Sequence, residues 1–168
     1  MNFKSCARRE AKHGKIQGGL GTHKVPVVTM IEKHSGEARS WVMPTVTIDT
    51  LSQHFKEQVE TLRSLLWTDS LPAYIVSGQS FVLHESVNYH KKQYRAKTGA
   101  TTNLAEGFFS QLKRSLGGTH HHVSPEHLHR YLTEYDYRYT HRKVDDTTRM
   151  AALVGSTPLR RLTYSQTR

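Results

Sequence analysis

The chain has 168 residues, a length that suits one domain, and its 36% hydrophobic content is enough for a single buried core. No run approaches the roughly 18 consecutive apolar residues of a membrane-spanning helix, and the polar, basic start from Met1 to Lys15 is not a secretory leader. Lys and Arg number 24 against 14 acids, a formal charge of +10, and Cys6 is the only cysteine, which rules out an internal disulfide.

A positive field of that size favours a polyanion as partner. Nothing in the chain resembles a lipid anchor or a basic amphipathic membrane helix, so no membrane partner is expected and nucleic acid leads. The lone cysteine fits a reducing cytoplasm.

Taken in chain order, residues 1–24 mix Lys and Arg with Gly14, Gly18, Gly19 and Gly21 and hold one acid, Glu10, which predicts a flexible basic arm. The β-branched run from Val25 to Ile31 reads as a buried strand. Gly36 makes a turn, and Ala38 to Met43 reads as the hairpin partner. Leu51, Phe55, Val59 and Leu62 keep helical spacing and predict a helix over 48–64, capped by Thr47 or Asp49. Leu65 to Thr68 reads as a short buried strand ending on Asp69. Pro72 and Tyr74 suggest a helical turn, and a strand is expected within 81–89.

A helix is expected over 103–116, stopped by Gly117 and Gly118. Ser124 and Pro125 then open another, with Leu128, Tyr131, Leu132, Tyr135 and Tyr139 along one face. The tail from Arg142 is polar, with one short helix near Met150 to Val154. Two strands, a helix, a strand ending in Asp and then helices form an α/β order.

Chemistry concentrates on the helix beginning at Asn103. At about 100° per residue, Asn103, Glu106, Ser110 and Lys113 share one face, while Leu104, Phe108, Leu112 and Leu116 face the sheet. The helix can thus present an amide, a carboxylate and an ammonium together. The same spacing also suits a capping box, with Asn103 as N-cap and Glu106 three positions on. Asp69, at a strand end, either opens the turn at Ser70 or, with Glu106, offers oxygen ligands suited to Mg²⁺. Two cations about 3.5–4 Å apart can clamp a phosphodiester. His120, His121 and His122 have three readings: a zinc site, contacts to nucleic acid, or ordinary surface residues.

The segment Thr102 to Arg114, followed by Gly118 to Leu132, resembles the ISXO-like family of DDE-type transposase domains. Its pattern runs Thr-Asn, Glu-Gly, Ser, then Leu-Lys-Arg, followed by Gly-Thr, His-His-Val-Ser and His-Leu. Thr68 and Asp69 with Ala73 and Tyr74, the stretch from Val87 to His90, Tyr137 with Tyr139, and Arg161 to Tyr164 extend the likeness, from about Gly18 to Tyr164. The resemblance implies a ribonuclease-H-like integrase or transposase core that cuts and joins DNA with Mg²⁺ or Mn²⁺. It assigns Asp69 as the second catalytic aspartate, Asn103 or Glu106 as the third position, and Lys113 as the basic residue that follows. Lys113, Arg114, His121 and His122 would meet DNA.

The family's first aspartate lies on a strand that this sequence lacks. The expectation is therefore an N-terminally truncated domain: a linker over 1–24, a partial catalytic domain over 25–164 and a tail over 165–168. Such a chain is expected to be inactive in strand transfer, since losing one member of a catalytic unit costs about 10⁴-fold or more. The alternative is a DNA-binding remnant that modulates a full-length transposase, with homo-oligomers allowed by either reading.

Overall fold

A computed structural model describes residues 2–4, 24–88, 91–96, 98–99, 101–120 and 123–156. Three strands form an antiparallel sheet in the order β1 (Asn2–Lys4), β2 (Lys24–Ile31), β3 (Ala38–Val42). Strands β4 (Leu65–Asp69) and β5 (Leu83–Val87) form a separate parallel pair. Five α-helices accompany them among the described residues: α1 (Ile48–Gln58), α2 (Pro72–Ser77), α3 (Asn103–Gly118), α4 (Leu128–Thr140) and α5 (Asp146–Gly155). The α/β order expected from the sequence is present. Among the described residues no ladder joins the two sheets.

The hairpin of β2 and β3 turns at Gly36, whose φ of 74° is left-handed and suits glycine. Glu32 braces the turn by accepting hydrogen bonds from the backbone N–H groups of His34 (3.0 Å) and Ser35. A hydrogen bond from the Ser35 side chain, then these backbone bonds from His34 and Ser35, hold its carboxyl down at about 2. Adjacent residues of β2 face opposite sides, and both sides are covered. Val27 (1% exposed) packs with Phe108, Leu112, Leu128 and Leu132, whereas Val28 (3%) packs with Leu51, Phe55 and Phe81. Burial on both faces explains why this strand is a continuous apolar run rather than an alternating one.

Helix α4 lies against the outer edge of β3. The Ala38 N–H donates to Thr140 Oγ1 (3.1 Å) and the Ser40 N–H to Asp136 Oδ2 (2.7 Å). Positions i and i+4 on a helix are about 6 Å apart along its axis, and i and i+2 on a strand about 6.8 Å. Two helix side chains can therefore meet two successive outward N–H groups of an edge strand. An edge that would otherwise invite another chain is covered.

Several expectations need correction. Composition predicts a flexible arm over 1–24, yet Asn2–Lys4 form β1, because an extended triplet satisfies backbone groups left open along β2. Residues 5–23 and the tail 165–168 lie outside the described residues. Helix α1, capped by a reciprocal Thr47–Thr50 box, ends at Gln58 instead of running to 64, and Val59 is already extended. Leu62 then falls in a 3₁₀ turn and is 83% exposed. Gly117 and Gly118 do not stop α3. They form its last turn, where the Thr119 N–H still reaches Ser115 O (2.9 Å). Strand β4 is only half-buried, since just one of its faces packs on α1 and α2.

Candidate active site

Helix α3 is held from its inner face. The Phe108 ring is fully buried and meets Phe109, Tyr135 and Tyr139 edge-on, with centroids 5.0–5.5 Å apart. Tyr139 and Tyr135 of α4 donate hydroxyl hydrogen bonds to Leu104 O (3.4 Å) and Gln111 Oε1 (3.2 Å). With that face locked, Asn103, Glu106, Ser110 and Lys113 are all exposed, as their spacing predicts. Leu104 departs from expectation at 40% exposed. It lies in the first turn, and Phe109 takes up the additional buried place lower on the helix.

The capping-box reading of Asn103 and Glu106 does not hold. Thr102 is the N-cap and its side chain caps nothing, while Glu106 accepts a long hydrogen bond (3.4 Å) from the Thr102 hydroxyl. The Glu106 carboxylate is thus not consumed by the end of its own helix. Gly107 follows it, and a methyl group added there would meet nothing within 4 Å.

Asp69 ends β4 and is exposed. Its Oδ1 accepts from the Leu71 N–H (3.1 Å), so the turn-opening role is real. Among the described residues Oδ2 has no hydrogen-bond partner, so the two roles are compatible. Tyr74 is near: its phenol is pushed up to about 12, mainly by burial and then by the Asp69 charge. Behind Asp69, Thr68 donates to Asp69 O (2.9 Å) and lies 2.8 Å from His84 Nε2. One hydroxyl carries one proton, so His84 is the donor through Nε2. Burial holds the His84 pKa below its ordinary value.

Asp69 and Glu106 offer hard oxygen donors of the kind Mg²⁺ and Mn²⁺ take. Among the described residues no three His, Cys, Asp or Glu side chains converge on a point that could hold a metal ion. The donor chemistry fits a divalent cation held by one or two carboxylates plus phosphate oxygens, not a closed protein cage. Lys113 and Arg114 are exposed and, among the described residues, form no ion pair. His120 packs edge-on against Tyr131, with centroids 4.7 Å apart. His121 and His122 lie outside the described residues.

Two carboxylates that tie distant elements together carry no signal in the sequence. Glu85 on β5 accepts from the hydroxyl (2.5 Å) and the N–H (3.4 Å) of Thr98, in the loop before α3. Asp136 reaches across 96 positions to Ser40. Both link residues far apart in sequence, and no spacing rule covers such pairs.

A solvent-facing carboxylate lies on a core-anchored helix, a second lies at a strand end, and Lys113 and Arg114 are exposed on the same helix as the first, all within an α/β domain. The family of ISXO2-like transposase domains matches residues 2–140, and the chain belongs to it. The match begins before residue 18 and ends short of 164, so it takes in β1 through α4 and stops ahead of α5. Comparison with curated proteins finds no match, and comparison with solved structures finds none. No helix among the described residues is long and apolar enough to cross a membrane.

Proposed function

We propose that this chain is a DDE-type transposase domain of ribonuclease-H-like design, acting on DNA strands with a divalent cation held by Asp69 and Glu106. The observation that carries the reading is the state of Glu106, a carboxylate free of capping duty on a helix whose opposite face is fixed in the core. Element order supports the design: an antiparallel hairpin, a helix, then β4 parallel to β5 and further helices.

Bound Mg²⁺ or Mn²⁺ would supply positive charge at the phosphodiester and lower the pKa of an attacking water or hydroxyl. Asp69 brings its free Oδ2 from a strand end steadied by the Leu71 N–H. Glu106 brings its carboxylate from α3, and Asn103, one turn earlier on the same face, is the alternative amide ligand. Lys113, two turns further on, meets a DNA phosphate as a point charge, with Arg114 beside it. The described residues supply no third carboxylate to this pair. With Asp69 and Glu106 alone assigned to the catalytic set that the family resemblance implies, we expect the chain by itself not to transfer strands.

The test is Mn²⁺ titration followed by electron paramagnetic resonance, alongside a strand-transfer assay. Binding weakened at least tenfold by both Asp69→Asn and Glu106→Gln supports the reading. Binding indifferent to both substitutions removes it. Clean strand transfer abolished by Asp69→Asn would keep the site but overturn the expected inactivity.

A second reading, DNA binding that modulates a full-length transposase, is favoured by the charge of +10 and the exposed Lys113 and Arg114, which form no ion pair among the described residues. It requires salt-sensitive DNA binding without cleavage.

A further inference from the structure

Helix α3 has no side-chain cap, and within its first turn, which carries Asn103 and Glu106, the Thr102 hydroxyl makes one long bond to Glu106 (3.4 Å). The chain leading into it is fixed further back. Ala96 is buried (7% exposed), the Gly99 N–H returns to Ala96 O (2.9 Å), and Thr98 gives both of its donors to one Glu85 oxygen. Glu85 stands opposite Trp67 in the parallel register of β4 and β5, and Asp69 is two residues beyond Trp67. Side chains alternate along a strand, so Asp69 and Glu85 project from the same face of that two-stranded sheet. From Gly99 only a few residues separate the tether from Asn103.

We propose that Glu85 is a positioning residue: by holding Thr98 it sets the first turn of α3, and with it Asn103 and Glu106, against Asp69 on the neighbouring strand. The proposal rests on the reading of Asp69 and Glu106 as the metal-holding pair. It assigns Glu85 no contact with metal or DNA. A carboxylate suits the task because one oxygen can accept from a hydroxyl and an N–H at once, and charge-assisted bonds of this kind are stronger than neutral ones. A side chain that orients ligands without touching the cation typically changes metal affinity by about 10–100-fold when removed.

The experiment uses the full chain, the three single variants Glu85→Ala, Glu85→Gln and Thr98→Val, and the double variant Glu85→Ala/Thr98→Val. It has two readouts: amide hydrogen exchange over 98–106 without metal, and Mn²⁺ affinity. Glu85→Ala and Thr98→Val should each speed exchange over 98–106 and weaken Mn²⁺ about tenfold. Exchange in β2 and α1 should stay as in the parent, which separates a local release from misfolding. The double variant should be no worse than the worse single, since both remove one link. Glu85→Gln, which keeps an acceptor oxygen, should fall between. Unchanged exchange over 98–106 overturns the tether. Loss of Mn²⁺ affinity in Glu85→Ala but not in Thr98→Val makes Glu85 a ligand and also overturns the proposal. If Mn²⁺ binding ignores Asp69→Asn, the site reading fails instead, and the exchange measurement still decides the tether.

Discussion

Asp136 of α4 grips Ser40 of β3 twice, Oδ2 accepting from the Ser40 N–H and Oδ1 from its hydroxyl, both at 2.7 Å. Ser40 Oγ also lies 2.8 Å from Thr29 Oγ1 on β2, so one carboxylate links a helix to two strands. Burial pushes the Asp136 pKa up to about 6, and the bonds from Ser40 only partly oppose it.

A folded-state pKa above the unfolded one means that the native protein holds the proton more tightly. Asp136 therefore adds stability below about pH 4, and that contribution is lost as pH rises through about 6. Asparagine keeps an acceptor for the Ser40 N–H and has no charge to bury. Asp136→Asn should melt higher than the parent above pH 6, by roughly 1 kcal/mol after discounting for the water that still reaches the carboxyl. The advantage should vanish at pH 4. Melting curves from pH 4 to 8 check this, and a variant less stable at pH 8 than at pH 4 relative to the parent contradicts it.

Gly36 combines a left-handed φ with a close neighbour, since an added Cβ would lie 2.7 Å from Arg142 Nη2. That guanidinium is the far end of a flexible chain, donating to Gly36 O (3.2 Å) and stacked on Tyr139. The backbone cost should dominate. Gly36→Ala is expected to destabilise by about 1 kcal/mol, and by nearly the same amount in an Arg142→Ala background. Denaturant titration of the double-mutant cycle decides. A cost that disappears without Arg142 would show the crowding, not the φ, to be the cause.

Phosphate contact by Lys113 makes a prediction about salt. Plotted as log affinity for duplex DNA against log salt, Lys113→Gln should flatten the slope by about 0.9 and weaken different sequences alike. An unchanged slope would place Lys113 off the DNA path.

The sequence was most legible where one periodicity decides the structure. The apolar run at Val25 predicted β2, and the split of α3 into an outer set around Glu106 and an inner set around Phe108 came from spacing alone. The strand ending on Asp69 was legible too. What stayed hidden depended on distant partners: the α4 clamp on β3, the Glu85 tether and the pairing of Asn2–Lys4 with β2. Helix ends were misplaced at Gln58 and at Gly118. At Gln58 the hydrophobic spacing suggested that the helix runs on where the backbone turns extended, and at Gly118 a glycine pair suggested a stop that the backbone bonding does not observe.

Gly107 lies mid-helix, one residue from Glu106, with open space where a side chain would be. Glycine in a helix interior costs roughly 0.5–1 kcal/mol against alanine, and no packing contact offsets it here. The fold therefore gains nothing from the missing methyl. What remains is a notch of bare backbone beside the carboxylate, where a flat or bulky surface can approach α3 more closely than it can anywhere a side chain stands in the way.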